Sequence, residues 1–534
     1  MAVTQRFPWK WLRRGAQIVF LLTFLWLFRK TDCTGGNEMN AAVNWLFRLD
    51  PLVATAAMLA ARTVVPLLLL ALIVVALTLL LGRVFCGWVC PLGTLLDATH
   101  RIATPLPQFH AHRGRWRWVK YCLLGVTLMA ACFSVPLVGY FDPFALLVRC
   151  MTFAVDPVLS LVVTAPFTWL YQHAPEGVSN VTEPVYEFLK TTLLPFHQGT
   201  YLLAGLSFGM LLIVFALEWV EHRFWCRNLC PLGAMLGLLA RFSLLKRKPG
   251  RVCENCGAGV DCAEQCRMDA FDADNRFSPE TCTLCVDCLD ACPTLRPRFA
   301  FGKPRVTSAL FGVSRRQIIA TVATGLAVPA ALRTFGGSAF IHRRLIRPPG
   351  APGENKFLDL CVRCGECMKV CPTNALQPTL LESGIEGMFS PRLVAVIGYC
   401  EYNCTLGGKV CPSGAIRALT VEEKQRTIIG KIEFDKQLCL PFAKGVDCIV
   451  CEEHCPVPEK AIRFRDVAMT NHLGQRVVAK QPYMEWDLCI GCGICETRCP
   501  VPDKPGVRLI RTEYAPKEVP AQSVPAKPAP TGPR

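Results

Sequence analysis

Acidic residues are the scarce class in this chain. Its 534 residues carry 41 Asp and Glu against 58 Lys and Arg, and only 19% of positions are charged. Charge is absent altogether from 64–82 and 199–217, and a single Lys interrupts 118–139. Familiar catalytic signatures are also missing. No C-x2-C-H haem attachment occurs, no G-x-G-x-x-G opens a helix, and no nucleophile stands with a credible base. These gaps argue against c-type haem, dinucleotide chemistry and covalent catalysis. A formal charge of +17 would suit nucleic acid if it formed a surface patch. Here the basic residues border apolar runs, so they read as topology signals and no nucleic-acid partner is expected. Lys10, Arg13 and Arg14 precede an apolar run with no small-residue cleavage site after it, so no cleavable signal is read at the start.

Apolar sequence is abundant. Hydrophobic residues make up 52% of the chain and mean hydropathy is +0.32. Runs at 17–28, 64–82, 118–139 and 199–217 are each read as crossing a hydrocarbon core of about 30 Å, the first only with its flanks. Basic residues before the first run, within 83–117 and within 221–316 place these parts in the cytoplasm. The cation-poor 140–198 segment is read as a loop on the opposite side. A fifth crossing is predicted at 320–332, just after Arg315 and Arg316. It would put the remainder of the chain outside; the basic stretch at 342–347 favours a hairpin that keeps it inside. The Pro- and Ala-rich 512–534 tail is predicted to be disordered.

The chain holds 31 cysteines, and most fall in runs of the C-x2-C-x2-C-x3-C-P type that ligate [4Fe–4S] clusters. One module comprises Cys253, Cys256, Cys262 and Cys266, then Cys282, Cys285, Cys288 and Cys292. In two-cluster ferredoxins the fourth cysteine of each run serves the other cluster. Cys253, Cys256, Cys262 and Cys292 are therefore expected at one cluster, and Cys282, Cys285, Cys288 and Cys266 at the other. A second module has four runs. The first is Cys361, Cys364, Cys367 and Cys371; the last is Cys489, Cys492, Cys495 and Cys499. The third is Cys439, Cys448, Cys451 and Cys455. The second has only Cys400, Cys404 and Cys411, with Gly407 where a further ligand belongs. Fifteen thiols thus face four clusters that would take sixteen. One cluster is expected to be [3Fe–4S], to use a non-cysteine ligand, or to be missing.

An internal repeat lies in the apolar half: "RVFCGWVCPLG" from Arg83 and "RFWCRNLCPLG" from Arg223. Cys86 and Cys90 would share one helix face at i,i+4 spacing, as would Cys226 and Cys230. Two helix-pair repeats related by an axis along the membrane normal could bring these four thiols together at an extra metal or cluster site. Redox-active thiols at a quinone site, or plain packing, would also fit. Cys33, Cys122, Cys132 and Cys150 have no partner spacing and read as packing residues. Asp50, Asp142 and Asp156 each precede a Pro at a membrane edge, which reads as a turn or helix start rather than a quinone pocket.

The fold expected is an α-helical membrane domain (1–245, two helix-pair repeats) with two α+β ferredoxin-like iron–sulfur domains. The first ferredoxin module is 246–300, a further helix spans 313–336, the second module is 337–511, and a tail follows. Residues 1–300 resemble the NapH family of membrane quinol dehydrogenase subunits, on the crossings, the paired C-x3-C-P-L-G motifs and the double cluster run. Residues 313–511 resemble the NapG (MauM-like) ferredoxins, which open on a twin-arginine signal and continue into four cluster motifs; "VSRRQII" would be the old N-terminus of that partner. In related four-cluster ferredoxins the outer runs pair, as do the inner ones. The resemblance then implies Cys361, Cys364 and Cys367 with Cys499, and Cys489, Cys492 and Cys495 with Cys371. It likewise implies Cys439, Cys448 and Cys451 with Cys411, and a deficient set of Cys400, Cys404 and Cys455. The function implied is oxidation of membrane quinol. Electrons would pass through clusters to a periplasmic or cytochrome acceptor, within a larger respiratory complex in a bacterial inner membrane. The alternative is an assembly, maturation or redox-sensing protein without quinol turnover.

Overall fold

The computed structural model describes residues 9–33, 35–39, 42–103, 116–173, 176–192, 194–195, 199–248, 266–271, 277–290, 298–302, 314–336 and 342–514. Cys253, Cys256, Cys262 and Cys292, and positions 515–534 of the tail, lie outside them. The chain divides into two units. One comprises residues 1–342 with 347–425, and the other residues 343–346 with 426–534.

The first unit is built on helices. They are α1 (Trp9–Lys30), α2 (Pro51–Ala61), α3 (Ala71–Leu81), α4 (Pro91–Ala103), α5 (Arg117–Cys132) and α6 (Pro143–Cys150). After them come α7 (Asp156–His173), α8 (Glu176–Thr192), α9 (Ala204–Ala216), α10 (Pro231–Ala240) and α11 (Arg315–Gly336). The two motif copies share one succession: an apolar helix (α3, α9), a π-helical turn (Phe85–Val89, Trp225–Leu229), then a helix opened by Pro (α4, α10). The i,i+4 expectation for the cysteines fails on this break. Cys90 and Cys230 are extended, at ψ 116° and 109°, because the residue before a proline is pushed out of the helical region. Cys86 and Cys226 sit in the π turn, and Cys230 Sγ accepts from Gly233 N at 3.2 Å as a helix cap.

The 140–198 segment is not a loop. It is largely helical, and among the described residues Pro143–His173 is one of two helical stretches long and apolar enough to cross a membrane by length and composition, the other being α1. All eight residues of α6 are buried, so an apolar run read as connecting sequence supplies core. Asp50 accepts from Leu52 N and Val53 N and Asp142 from Ala145 N. Both are N-caps with Pro at the first helical position, as Asp-Pro suggested. Asp156 opens a helix too, but its carboxylate does something else, described below. Among the unpaired cysteines, Cys33 and Cys150 are buried and Cys122 half-buried, while Cys132 is exposed at the end of α5 and packs nothing inward.

α1 is a ruler for this unit. Arg13 bonds the Cys285 carbonyl at 2.9 Å and pairs with Asp287 at 3.3 Å, whereas Arg29 pairs with Asp156. Sixteen residues at 1.5 Å each separate them by roughly 24 Å. Residues 266–271 and 277–290 therefore cap one end of the bundle, with residues 37–39, 42–44, 136–156 and 200–201 at the other. α11 runs parallel to α5 between these ends. A Cβ on Gly125 would come within 2.7 Å of Thr321, and one on Gly325 within 3.0 Å of Met129, the close approach that small residues permit between helices.

Strands are few and antiparallel: β1 (Leu245–Lys248) with β2 (Arg298–Phe301), β3 (Leu376–Pro378) with β4 (Pro391–Leu393), β5 (Lys431–Phe434) with β8 (Val507–Ile510), and β6 (Ile462–Thr470) with β7 (Arg476–Met484). The last two pairs belong to the second unit. Short helical turns between them, such as 366–369, 406–410, 450–453 and 494–497, carry the thiols.

Candidate metal centres

Each thiol set grows from the same local geometry. A C-x2-C-x2-C turn winds its backbone around a hollow, and positive-φ residues let it close. Gly365 and Gly493 have φ of 88° and 83° immediately before the helical turns that bear Cys367 and Cys495. Glycine takes this conformation at little cost. A proline after the fourth cysteine then stops the helix.

Adjacent runs pair, not outer with outer. Cys361, Cys364, Cys367 and Cys411 line one hollow, and Cys371, Cys400 and Cys404 another, together with Gly407, Glu401 and Lys424. In the second unit Cys439, Cys448, Cys451 and Cys499 line a third, and Cys455, Cys489, Cys492 and Cys495 a fourth. This corrects the pairing implied by the resemblance. The physical reason is local: the helical turn at 366–369 packs on that at 406–410, and 450–453 packs on 494–497. Each run thus lends its fourth cysteine to its sequence neighbour. The deficient set is consequently Cys371, Cys400 and Cys404, and Cys455 belongs to a complete one.

At Gly407 a side chain would meet no atom within 4 Å, and its φ is not positive. Nothing in the packing requires glycine there. Lys424 Nζ reaches in to bond the Glu401 carbonyl.

At the 266–290 end, Cys282 lies near Cys266 and Cys288, and Cys285 near Cys266 and Cys282. Cys86, Cys90, Cys226 and Cys230 also converge, each of the last three feeling thiols of the other motif copy. Arg83 and Arg223 are fully buried beside them. Arg83 Nη2 lies 3.9 Å from Cys86 Sγ, and Arg223 donates to the Cys86 and Gly93 carbonyls at 3.2 Å. The Arg of each copy reaches the Pro-Leu-Gly turn of the other: a Cβ on Gly233 would sit 2.8 Å from Arg83 Nη2, and one on Gly93 3.5 Å from Arg223 Nη2. Burial pushes the Cys226 thiol up to about 12, against the nearby Arg223. Arg223 is paired with Asp97 at 2.8 Å, whereas Arg83 meets the Glu280 carbonyl and the Cys86 sulfur; a buried cation of that kind beside buried thiols is an unfavourable arrangement unless thiolates form there, as they do on a metal.

Sequence reasoning missed how the 361–411 thiols attach to the bundle. Arg363, buried, donates to the carbonyls of Pro136 and Glu386, and Arg149, also buried, donates to Arg363 O at 3.4 Å as well as to Gly139 O within the bundle. Lys369 Nζ pairs with Asp156 at 3.0 Å over the Phe28 ring. Tyr201 Oη donates to Met368 O at 3.2 Å, and Asn44 to Val410 O at 3.1 Å. Glu366 is fully buried, neither carboxyl oxygen has a partner, and burial raises its pKa well above the usual range. Sequence gives no signal for these residues, because each partner is distant in the chain.

Comparison with known proteins agrees with the thiol chemistry. A family model described as a 4Fe-4S binding domain matches residues 63–117 and 202–251, the two motif copies. A second model of the same description matches 356–377 and 482–502. The chain is 36% identical over 149 residues to the ferredoxin-type protein NapG of Escherichia coli, spanning 28% of this chain and 63% of that protein. It is 31% identical over 189 residues to the methylamine utilization ferredoxin-type protein MauM of Methylorubrum extorquens, 33% of this chain and 80% of that protein. It is 28% identical over 284 residues to the putative electron transport protein YccM of Escherichia coli, 52% of this chain and 68% of that protein. No solved structure matches. The donor sets fit iron–sulfur clusters: soft thiolates in fours, in largely buried hollows.

Proposed function

This chain belongs to the family of the ferredoxin-type proteins MauM, and from that premise we propose that it is a membrane-bound quinol dehydrogenase that passes electrons through iron–sulfur clusters to a periplasmic acceptor. Iron–sulfur electron transfer is the shared ground of its relatives. Membrane location, quinol oxidation and the fusion of a NapH-like half with a NapG-like half are the further steps of this reading.

One observation carries it. Two thiol-rich ferredoxin segments sit at opposite ends of a single helical bundle whose outward faces are apolar. Exposed Trp11, Ile18, Leu22 and Trp26 on α1, Leu72 and Ile73 on α3, Leu161 and Val162 on α7, Leu212 and Ile213 on α9, and Ile319 and Leu326 on α11 form that surface. Exposed apolar area of this extent belongs against lipid. In this reading α11 is an uncleaved fifth crossing. The Arg315–Arg316 end is cytoplasmic and the chain beyond 342 is outside, in keeping with the positive-inside rule. Clusters on these thiols supply one-electron transfer. The chain's own residues fix their spacing, exclude water and balance charge: Arg83 offsets charge on thiolates at Cys86, Cys90, Cys226 and Cys230, while Arg223, paired with Asp97, ties the two motif copies together through the Cys86 and Gly93 carbonyls.

The test uses the full chain, with its clusters, in proteoliposomes. A menaquinol analogue should reduce the clusters as followed by EPR, and Cys226→Ser should abolish this while the C-terminal clusters remain. No reduction in the wild-type protein would overturn the quinol reading. A C-terminal alkaline phosphatase fusion should be active; an inactive one would overturn the five-crossing topology.

A further inference from the structure

His100, Glu218 and His222 stand beside the two motif copies and belong to none of the cysteine runs. His100 and Asp97 are one turn apart on α4, and Glu218 and His222 are i,i+4 just after α9. One ligand atom from each of the three lies within 4.8 Å of the others. The Glu218 side chain is 2% exposed; one of its oxygens caps Arg223 N at 2.9 Å, and the other is buried without a partner. His100 Nδ1 is likewise buried without a partner. His222 Nε2 faces Asp97 Oδ1 at 3.3 Å. A carboxylate on one ring nitrogen fixes the tautomer and presents the other nitrogen for ligation.

The repeat offers a control. The positions equivalent to Glu218 and His222 in the first copy are Thr78 and Gly82. Those equivalent to Asp97 and His100 in the second copy are Gly237 and Ala240. The fold needs none of these polar groups, since the same architecture is built with small residues on its other side. One side of the repeat pair alone gathers two half-buried imidazoles and two buried carboxylates, Asp97 and His100 from the first copy and Glu218 and His222 from the second.

We propose that His100, Glu218 and His222 form a binding site for a divalent metal ion of the zinc class, with Asp97 as the residue that positions His222. Two imidazoles and one carboxylate leave a fourth position for water, the donor set of an open zinc site. Asp97 is itself secured by Arg223 at 2.8 Å and Arg267 at 2.8 Å, so it stays a carboxylate and an orienting acceptor. Burial lowers His222 to about 4, so the ring is neutral and ready to ligate at neutral pH. The His100 and His222 rings are stacked, 3.8 Å apart and 2° from parallel. Lone pairs in parallel planes do not converge on one ion. Asp97 holds His222, so His100, whose Nδ1 is free, is the ring that turns on binding.

The test is made on the full chain, purified anaerobically with its clusters and given one equivalent of zinc, then desalted. Wild type should retain about one zinc per chain. Its X-ray absorption fine structure should show only nitrogen and oxygen neighbours near about 2.0–2.1 Å. His100→Ala and His222→Ala should each lose that zinc with iron content unchanged, and Glu218→Gln should weaken retention at least tenfold. His100 is partly exposed, so its variant decides the matter if the other two fail to fold. No retained zinc in wild type, sulfur in its first shell (an ion taken up by thiols), or full retention by His100→Ala would each overturn the site.

Discussion

Two thiol sites in the 347–425 segment share a backbone plan and differ in completeness. Cys361, Cys364, Cys367 and Cys411 surround one hollow; Cys371, Cys400 and Cys404 surround the other, with open space at Gly407. The complete set is pressed against the bundle through Arg363, which donates to the Pro136 carbonyl, and through the buried pair of Lys369 with Asp156. The deficient set borders the bundle as well: Thr405 N donates to Asn37 Oδ1 at 3.0 Å and Lys409 Nζ donates to the Asn37 carbonyl. Both sites therefore meet the bundle, and they differ at one ligand position, which holds glycine without structural compulsion. A cluster with three thiolates is the more labile and the more open to an external ligand.

The strongest way to break this comparison is to remove a ligand from each site. Cys364→Ser should eliminate the four-iron signature of the complete site and cut quinol-driven reduction of the second-unit clusters by at least tenfold. Cys404→Ser should strip iron from the deficient site with a smaller kinetic effect. Equal losses in stopped-flow reduction would show that completeness does not matter.

Next in size is the docking itself. Lys369 and Asp156 are buried together, and removing one partner of a buried pair strands the other charge at about 3–5 kcal/mol. Arg29 still faces Asp156, so Lys369→Ala should cost about 3 kcal/mol, the low end of that range. Limited proteolysis between residues 337 and 347 should accelerate accordingly. An unchanged cleavage rate would mean that the docking is held elsewhere, by Arg149 and Arg363.

Gly407→Cys sharpens the comparison by erasing it. With no neighbour within 4 Å and an ordinary helical backbone, the new side chain fits without strain. It should raise iron by about one atom per chain if the site holds three irons, and convert a three-iron EPR signal into a four-iron one. An unchanged spectrum would show that Glu401 or another group already completes the site.

The legible part of this molecule is what covalent spacing dictates. C-x2-C-x2-C turns close around a metal wherever they occur, so each run was visible, and the gap at Gly407 with it. So was the doubling of R-x2-C-x3-C-P-L-G, because a repeat shows in one dimension. Partner choice between runs was not legible. It depends on which short helical turns pack together, and 366–369 meets 406–410 for reasons of proximity that spacing does not encode. α6 was misplaced because a buried eight-residue helix and an apolar connection have the same composition. Asp156 looked like one more Asp-Pro start, and its pairing with a lysine 213 residues away has no sequence signature. The His100, Glu218 and His222 cluster needed the fold for the same reason, although comparing the two repeat copies position by position would have singled out those polar residues.

The smallest effect expected at the docking face is at Glu366. Its carboxyl group is fully buried with no hydrogen-bond partner, and burial raises its pKa well above that of an exposed glutamate. A raised folded-state value means the folded protein binds the proton that the unfolded chain releases. The stability cost is therefore absent below the unfolded value of about 4.3 and grows as pH rises above it. Glu366→Gln keeps the shape, and its uncharged amide has no proton to lose. The variant should melt at the same temperature as wild type near pH 4.5 and a few degrees higher at pH 8, with the difference widening steadily between. Cys361, Cys364, Cys367 and Cys411 should keep their iron throughout. A variant less stable than wild type at pH 8 would show that Glu366 is held ionised by a partner, and that the docking face of the complete site carries one more ion pair than the structure displays.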